Sequence, residues 1–246
     1  MKVLAIIPAR YASVRLPGKP LLAETGKPLI RHVVENARRA DRLERVVVAT
    51  DDQRIYDAVE GFGGQAVMTS PDHTCGTDRI NEAAGLLGLA DEDIVVNVQG
   101  DEPDMPAKCI DRLIETLEAS GAPMATLAAP MGLAEAGDPS RVKVVLAADG
   151  SAMYFSRAVI PYDRDEAGVG YLWHLGVYAY RVGFLKKFSA MQPTPAERTE
   201  KLEQLRALEN GKTIAVAVVD YDGIGIDTPA DYEAFVAGMK SCGDKD

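Results

Sequence analysis

Val3-Leu4-Ala5-Ile6-Ile7-Pro8-Ala9-Arg10 passes from an apolar run through a proline to a cation. Five successive apolar residues without polar alternation predict a strand covered on both faces, as in a parallel sheet. Downstream, Ile30, Val33, Val34 and Ala37 keep the i, i+3, i+4, i+7 spacing of an amphipathic helix. Residues 46–49 form a second β-branched run. Strand, helix and strand in that order make a βαβ unit, whose right-handed crossover sets the two strands parallel. The alternation recurs. Residues 94–98 and 214–219 read as strands, and Ile55/Ala58/Val59/Phe62, Ile110/Leu113/Ile114/Leu117 and Tyr232/Phe235/Val236/Met239 read as helical stripes. The fold class is therefore α/β, with a mixed, mostly parallel sheet.

The helix boundaries carry matching signals. Pro28, Pro106 and Pro229 suit first helical turns. Asp51 or Asp52 can cap the second helix, Thr228 the last and Thr77 the one before residue 87, while Gly61, Gly63 and Gly64 end the second. After about residue 140 the pattern changes. Residues 142–146, 152–155 and 173–180 read as strands joined by an Asp149-Gly150 turn and a polar loop, 163–170. Helices are expected over 182–190 and 199–209. This predicts one domain over 1–246, with an antiparallel insertion at about 140–210.

Composition narrows the function classes. The 246 residues carry a formal net charge of −10, which disfavours general binding to nucleic acid or anionic membrane, both of which run on surplus Lys and Arg. No apolar run approaches the roughly 18 residues that span a bilayer, and the apolar start is too short for a secretion signal. A cytoplasmic protein is expected. Cys75, Cys109 and Cys242 are odd in number and widely spaced, unlike a disulfide framework or a cysteine zinc site.

Ligands of open α/β sheets bind beyond the carboxyl ends of the strands. The loop after the first strand holds Arg10, Arg15 and Lys19 and no acid before Glu24. In a chain of this acidity that is a local positive pocket. It lacks the glycine patterns of a P-loop or a dinucleotide fingerprint, so phosphates would be held by side-chain cations. A solvated surface loop is the plainer alternative. The loop Gln99-Gly100-Asp101-Glu102-Pro103 ends a hydrophobic strand, where a carboxylate can hold Mg²⁺ on a nucleotide or simply close a turn. Asp227 is a second candidate, with helix capping as its ordinary role. Gly76-Thr77-Asp78-Arg79 opens a helix and offers free backbone N–H groups; Cys75 before it reads as an inert small residue.

These segments, with Ile6-Ile7-Pro8-Ala9-Arg10, Arg15-Leu16-Pro17-Gly18-Lys19-Pro20-Leu21, Val48-Ala49-Thr50-Asp51, Val96-Asn97-Val98-Gln99-Gly100-Asp101-Glu102-Pro103, Tyr154-Phe155-Ser156-Arg157, His174-Leu175-Gly176-Val177-Tyr178, Leu202-Glu203-Gln204-Leu205-Arg206 and Asp227-Thr228-Pro229, run in order over nearly the whole chain. Together they resemble the CMP-Kdo synthetases, bacterial 3-deoxy-manno-octulosonate cytidylyltransferases. The resemblance implies the nucleotide-diphospho-sugar transferase (Rossmann-like) fold, a dimerising insertion and hence a homodimer, Mg²⁺ dependence, and CTP and Kdo as substrates. Transfer of CMP would release pyrophosphate and activate Kdo for lipopolysaccharide synthesis.

By that resemblance Pro8, Ala9, Arg10, Arg15, Lys19, Gly76, Thr77, Arg79 and Gln99 meet CTP. Asp101 and Asp227 hold Mg²⁺. Gln99, Arg157, His174, Tyr178, Glu203 and Gln204 line the sugar-acid site. Arg10, Arg15, Lys19, Asp101 and Asp227 form the catalytic set. Two departures stand out. Cys75 replaces a serine of many relatives, and the loop 163–172 is short and holds Asp163, Asp165 and Glu166. Extra acid there would suit an 8-amino analogue of Kdo as the alternative substrate. A metal-dependent glycosyltransferase and a non-catalytic nucleotide-binding module are the rivals.

Overall fold

The computed structural model describes residues 1–12, 16–223 and 225–243. In chain order its elements are β1 (Val3–Ala9), α1 (Leu29–Ala37), β2 (Arg45–Thr50), α2 (Gln53–Gly61), β3 (Ala66–Met68), α3 (Gly76–Leu86), β4 (Ile94–Asn97), α4 (Ala107–Ser120), β5 (Met124–Met131), α5 (Leu133–Ala136), β6 (Lys143–Leu146), β7 (Ala152–Ser156), β8 (Tyr171–Arg181), α6 (Val182–Ser189), α7 (Pro195–Glu200), α8 (Leu205–Glu209), β9 (Ile214–Val218) and α9 (Pro229–Gly243). They fall into two compact units. The first comprises Met1–Leu89, Val95–Ile110 and the residues from Gly223 onward; the second comprises Ala90–Ile94 and Asp111–Asp222.

In the first unit the strand order is β3-β2-β1-β4. β1 and β2 run parallel, with Leu4 opposite Arg45 and Ala9 opposite Thr50; β3 joins β2 in the same sense. Leu4, Ala5, Ile6 and Ile7 are at most 1% exposed, as expected of a strand covered on both faces. The predicted stripe of α1 is that helix's buried face: Ile30, Val33, Val34 and Ala37, joined by Leu29. Because β1, β2 and β3 are parallel, the loops after them leave the sheet at one edge, and β4 lies beside β1. A smaller apolar cluster of Leu16, Leu29, Ile226 and Tyr232 packs the start of α9 within this unit.

The second unit is built on β5, which pairs antiparallel with β8 and parallel with β9. A register shift falls between Thr126 and Leu127. β6 and β7 form the predicted antiparallel hairpin, turned at Gly150 in the left-handed region (φ 81). β5 carries no clear sequence signal, because Ala125, Ala128, Ala129 and Pro130 dilute the β-branched pattern.

Two expectations need correction. Residues 199–209 are not one helix. α7 ends at Lys201, whose φ of 55 is left-handed, and Leu202 N–H closes back onto the Glu197 carbonyl at 3.3 Å. That closure is a helix terminus, and it leaves Glu203 and Gln204 on a turn. Thr77 does not cap α3. Cys75 does, its Sγ accepting from Asp78 N–H at 3.4 Å, while Thr77 is buried inside the first turn.

Candidate active site

In the first unit, the loop after β1 is closed by Gly18. Its φ of 68 is left-handed, its N–H donates to the Tyr11 carbonyl at 3.0 Å, and a Cβ there would lie 3.2 Å from the Tyr11 ring. This turn directs Lys19 inward. The Lys19 Nζ donates to Asp101 Oδ2 at 2.7 Å and to the Ile226 carbonyl at 2.8 Å, and lies 3.5 Å from Asp227 Oδ1. One ammonium therefore gathers both predicted acids. Arg10 is half-buried on the same loop, and its Nη2 has no hydrogen-bond partner among the described residues. Arg15 lies outside the described residues.

The acids are set by their backbones. Gly100 sits so close to β1 that a Cβ would meet the Pro8 carbonyl oxygen at 3.0 Å. The Asp101 carbonyl accepts from Ile226 N–H at 2.8 Å, which ties the two acidic segments together. Asp231 caps the start of α9: its Oδ2 accepts from the N–H groups of Asp227 (3.1 Å) and Thr228 (2.8 Å) and from the Thr228 hydroxyl. Thr228 returns the bond to Asp231 N–H at 3.2 Å, the cap expected of it. Between the acids lies Glu102. Burial first, and then the charges of Asp101 and Asp227, push its carboxyl up to about 8, so it is mostly protonated at neutral pH. Its Oε2 is buried and without a hydrogen-bond partner among the described residues.

The remaining first-unit candidates are held by packing and by backbone and side-chain hydrogen bonds. A Cβ on Gly76 would touch Pro8 Cγ at 3.5 Å, so the opening of α3 faces the first loop. Ala9 is buried at the end of β1, and the Gln99 carbonyl accepts from Glu102 N–H at 3.3 Å. Arg79 is fully buried, with Nη1 donating to Thr69 Oγ1 at 2.5 Å and Nη2 to Asp51 Oδ2 at 2.9 Å. Its guanidinium braces the loops after β2 and β3.

The second unit collects His174, Tyr178 and Glu203. His174 and Tyr178 both lie on β8, with ring centroids 5.4 Å apart. Thr126 Oγ1 on β5 lies 3.0 Å from His174 Nε2, and Phe155 meets the imidazole edge-on at 4.8 Å. Burial lowers His174 to about 3, so it is neutral at neutral pH. Burial, with the Glu203 charge behind it, raises Tyr178 well above its ordinary value. Gln204 is buried, and its Nε2 lacks a hydrogen-bond partner among the described residues. The Arg157 guanidinium donates to the carbonyls of Glu200 (2.8 Å), Pro139 (3.0 Å) and Lys201 (3.4 Å).

Sequence reasoning passed over Thr126, Asp231's grip on Asp227, and the Ile226 backbone. Thr126 had a usable signal, as the one hydroxyl in an apolar stretch. A backbone carbonyl has none.

Comparison with known proteins agrees with this geometry. The cytidylyltransferase family model matches residues 4–214, and the chain belongs to the cytidylyltransferase family. It is 53% identical over 240 residues, 96% of each chain, to a 3-deoxy-manno-octulosonate cytidylyltransferase of Syntrophobacter fumaroxidans. A solved structure of CMP:2-keto-3-deoxy-manno-octonic acid synthetase complexed with CTP superposes with a TM-score of 0.94 at 44% identity, covering 98% of this chain and 99% of that one. A 4-diphosphocytidyl-2C-methyl-D-erythritol synthase shares the fold, with a TM-score of 0.65 at 16% identity over 96% and 97% of the two chains.

Proposed function

We propose that the protein transfers CMP from CTP to the anomeric hydroxyl of 3-deoxy-manno-octulosonate. The observation that carries this reading is the meeting of Asp101 and Asp227 on Lys19, beside the half-buried Arg10. The identity of the substrates follows the two high-identity relatives, one named for this sugar acid and one complexed with CTP. That naming does not favour the 8-amino analogue, and membership of the cytidylyltransferase family does not favour a glycosyltransferase reading.

In the reaction the anomeric oxygen bonds to the α-phosphorus, the bond to the bridging oxygen breaks in line, and pyrophosphate leaves as the hydroxyl proton is lost. Such chemistry depends on positioning and charge neutralisation and needs no covalent enzyme intermediate. Arg10, Arg15 and Lys19 bind the triphosphate. The opening of α3 and Gln99 shape the nucleotide pocket. His174 meets the sugar as a neutral hydrogen-bonding group, alongside Tyr178, Glu203 and Gln204.

A magnesium ion fits the donor set. Asp101, Asp227 and the Ile226 carbonyl offer hard oxygens that here converge on the Lys19 ammonium, so an ion taking them would stand where that ammonium does. No group of three or more His, Cys, Asp or Glu able to hold a metal occurs among the described residues, but Mg²⁺ ordinarily takes only one or two carboxylates and shares phosphate oxygens. When bound it would polarise the α-phosphate and lower the pKa of the attacking hydroxyl. Exposed Met153, Tyr154, Val159, Tyr162 and Val169 in the second unit support a homodimer through that unit. A cytoplasmic location is consistent with CTP as substrate and with Cys75 and Cys109 standing outside any disulfide. No helix among the described residues is long and apolar enough to cross a membrane.

The test is incubation with CTP, Mg²⁺ and Kdo, followed by assay of pyrophosphate. Stoichiometric pyrophosphate is expected; none with Kdo overturns the reading, and its release only with the 8-amino analogue reassigns the sugar.

A further inference from the structure

We propose that Asn36 is a positioning residue for the loop that carries Asp101; the proposal rests on the functional reading above. Asn36 belongs to no motif and sits on α1, far in sequence from that loop. Its Nδ2 donates to the Pro103 carbonyl at 3.0 Å and to the Met105 carbonyl at 2.5 Å. One amide thus uses both of its N–H groups on the backbone just past Asp101.

Three backbone bonds in and beside that loop are long. Glu102 N–H reaches Gln99 at 3.3 Å, Met105 N–H reaches Glu102 at 3.4 Å, and Val98 N–H reaches Ile6 at 3.4 Å, all beyond the usual range for N–H···O. The short contacts fall on the two sides of the acid: Ile226 N–H on the Asp101 carbonyl at 2.8 Å, and Asn36 on residues 103 and 105. Asn36 is also rigidly mounted, because Leu29, Ile30, Val33, Val34 and Ala37 of its helix are at most 1% exposed. The loop itself is tight at Gly100, where a Cβ would meet the Pro8 carbonyl oxygen at 3.0 Å. Helix α1 therefore fixes the downstream side of the Asp101 turn, and losing the amide lets the carboxylate drift.

Displacements of about 1 Å at a reacting centre cost up to about 10²-fold in rate, so Asn36→Ala is expected to lower kcat about tenfold. The KM for the sugar acid should stay unchanged. Amide hydrogen exchange over residues 99–105 should rise while exchange in β1 and β2 does not. Asn36→Asp, which keeps the shape but turns an acceptor toward two carbonyls, should lower kcat further. Asn36→Gln, which restores both donors, should recover most of it. A kcat within twofold of the parent in Asn36→Ala, or unchanged exchange over 99–105, overturns the proposal. Should the alanine variant not fold, Asn36→Ser is read by the same two measures. Hydrogen exchange needs no substrate, so it judges the clasp even if the parent protein releases no pyrophosphate, an outcome that removes only the functional reading.

Discussion

The candidate site groups of the first unit are gathered by charge, whereas His174 and Tyr178 of the second are held neutral by burial. Around Lys19 the acids Asp101 and Asp227 keep partial access to water, their side chains 31% and 47% exposed. Loops carry them, and backbone hydrogen bonds aim them. In the second unit, His174 and Tyr178 stand on one strand, and burial holds both neutral at physiological pH. The first arrangement suits a polyanion and a cation, whose recognition is electrostatic. The second suits hydroxyl groups, which are read by fixed neutral donors and acceptors. Each strategy has its own weakness: the charged site loses function when a charge is removed, and the neutral site loses stability when a proton is forced on it.

The sharpest way to break the first half of that comparison is Asp101→Asn. It should lower kcat by about 10²-fold or more, on the scale of losing one preorganised electrostatic group. Stability should move by less than about 0.5 kcal/mol, as at other partly exposed polar positions. Paired kinetics and thermal melts decide it, and unchanged turnover would remove the metal assignment. Lys19→Ala comes next, with KM for CTP raised about tenfold, a loss of about 1.4 kcal/mol, and KM for the sugar acid unaltered. An effect confined to the sugar would move the triphosphate elsewhere.

The second half is tested by pH. The His174 imidazole titrates near 6.5 when unfolded and at about 3 in the folded protein. Above pH 6.5 it is neutral in both states and adds no pH dependence. As pH falls from about 6.5 toward 3, the unfolded chain binds a proton that the folded chain refuses, so stability falls. The stability difference between the parent and His174→Gln, followed by urea unfolding, should therefore shift against the parent across that window and stay flat above it. A constant difference would mean that the imidazole is not shielded. The smallest effect is expected at Cys75→Ser, where a better cap acceptor replaces a weak one. It should stabilise by no more than about 1 kcal/mol, with turnover unchanged.

Legibility in the sequence follows the same division. The charged site could be read because strand-end loops and a run of cations without acids are local patterns, and parallel topology brings such loops to one edge. Asp101 and Asp227 were named from position alone, and Lys19 joins them. The neutral cluster was harder. His174 and Tyr178 follow from resemblance, but their partner Thr126 lies on β5, an alanine-rich strand without alternation, marked only as the one hydroxyl in an apolar stretch. Glu203 and Gln204 were placed on a helix that breaks at Lys201, because backbone conformation at a single non-glycine residue leaves no mark in an apolar pattern. Arg157 donates to three backbone carbonyls, contacts set by tertiary neighbours that no sequence pattern marks.

Lys19 bears on folding as well as on binding. A chain with ten surplus negative charges brings together one acidic segment from mid-chain and one from near its end, and the ammonium at their junction is an internal counter-ion. The first unit should therefore assemble without borrowing a cation from solution, and a chelator should leave its melting temperature where it was. Take the lysine away and the same junction should begin to melt higher as divalent salt is added.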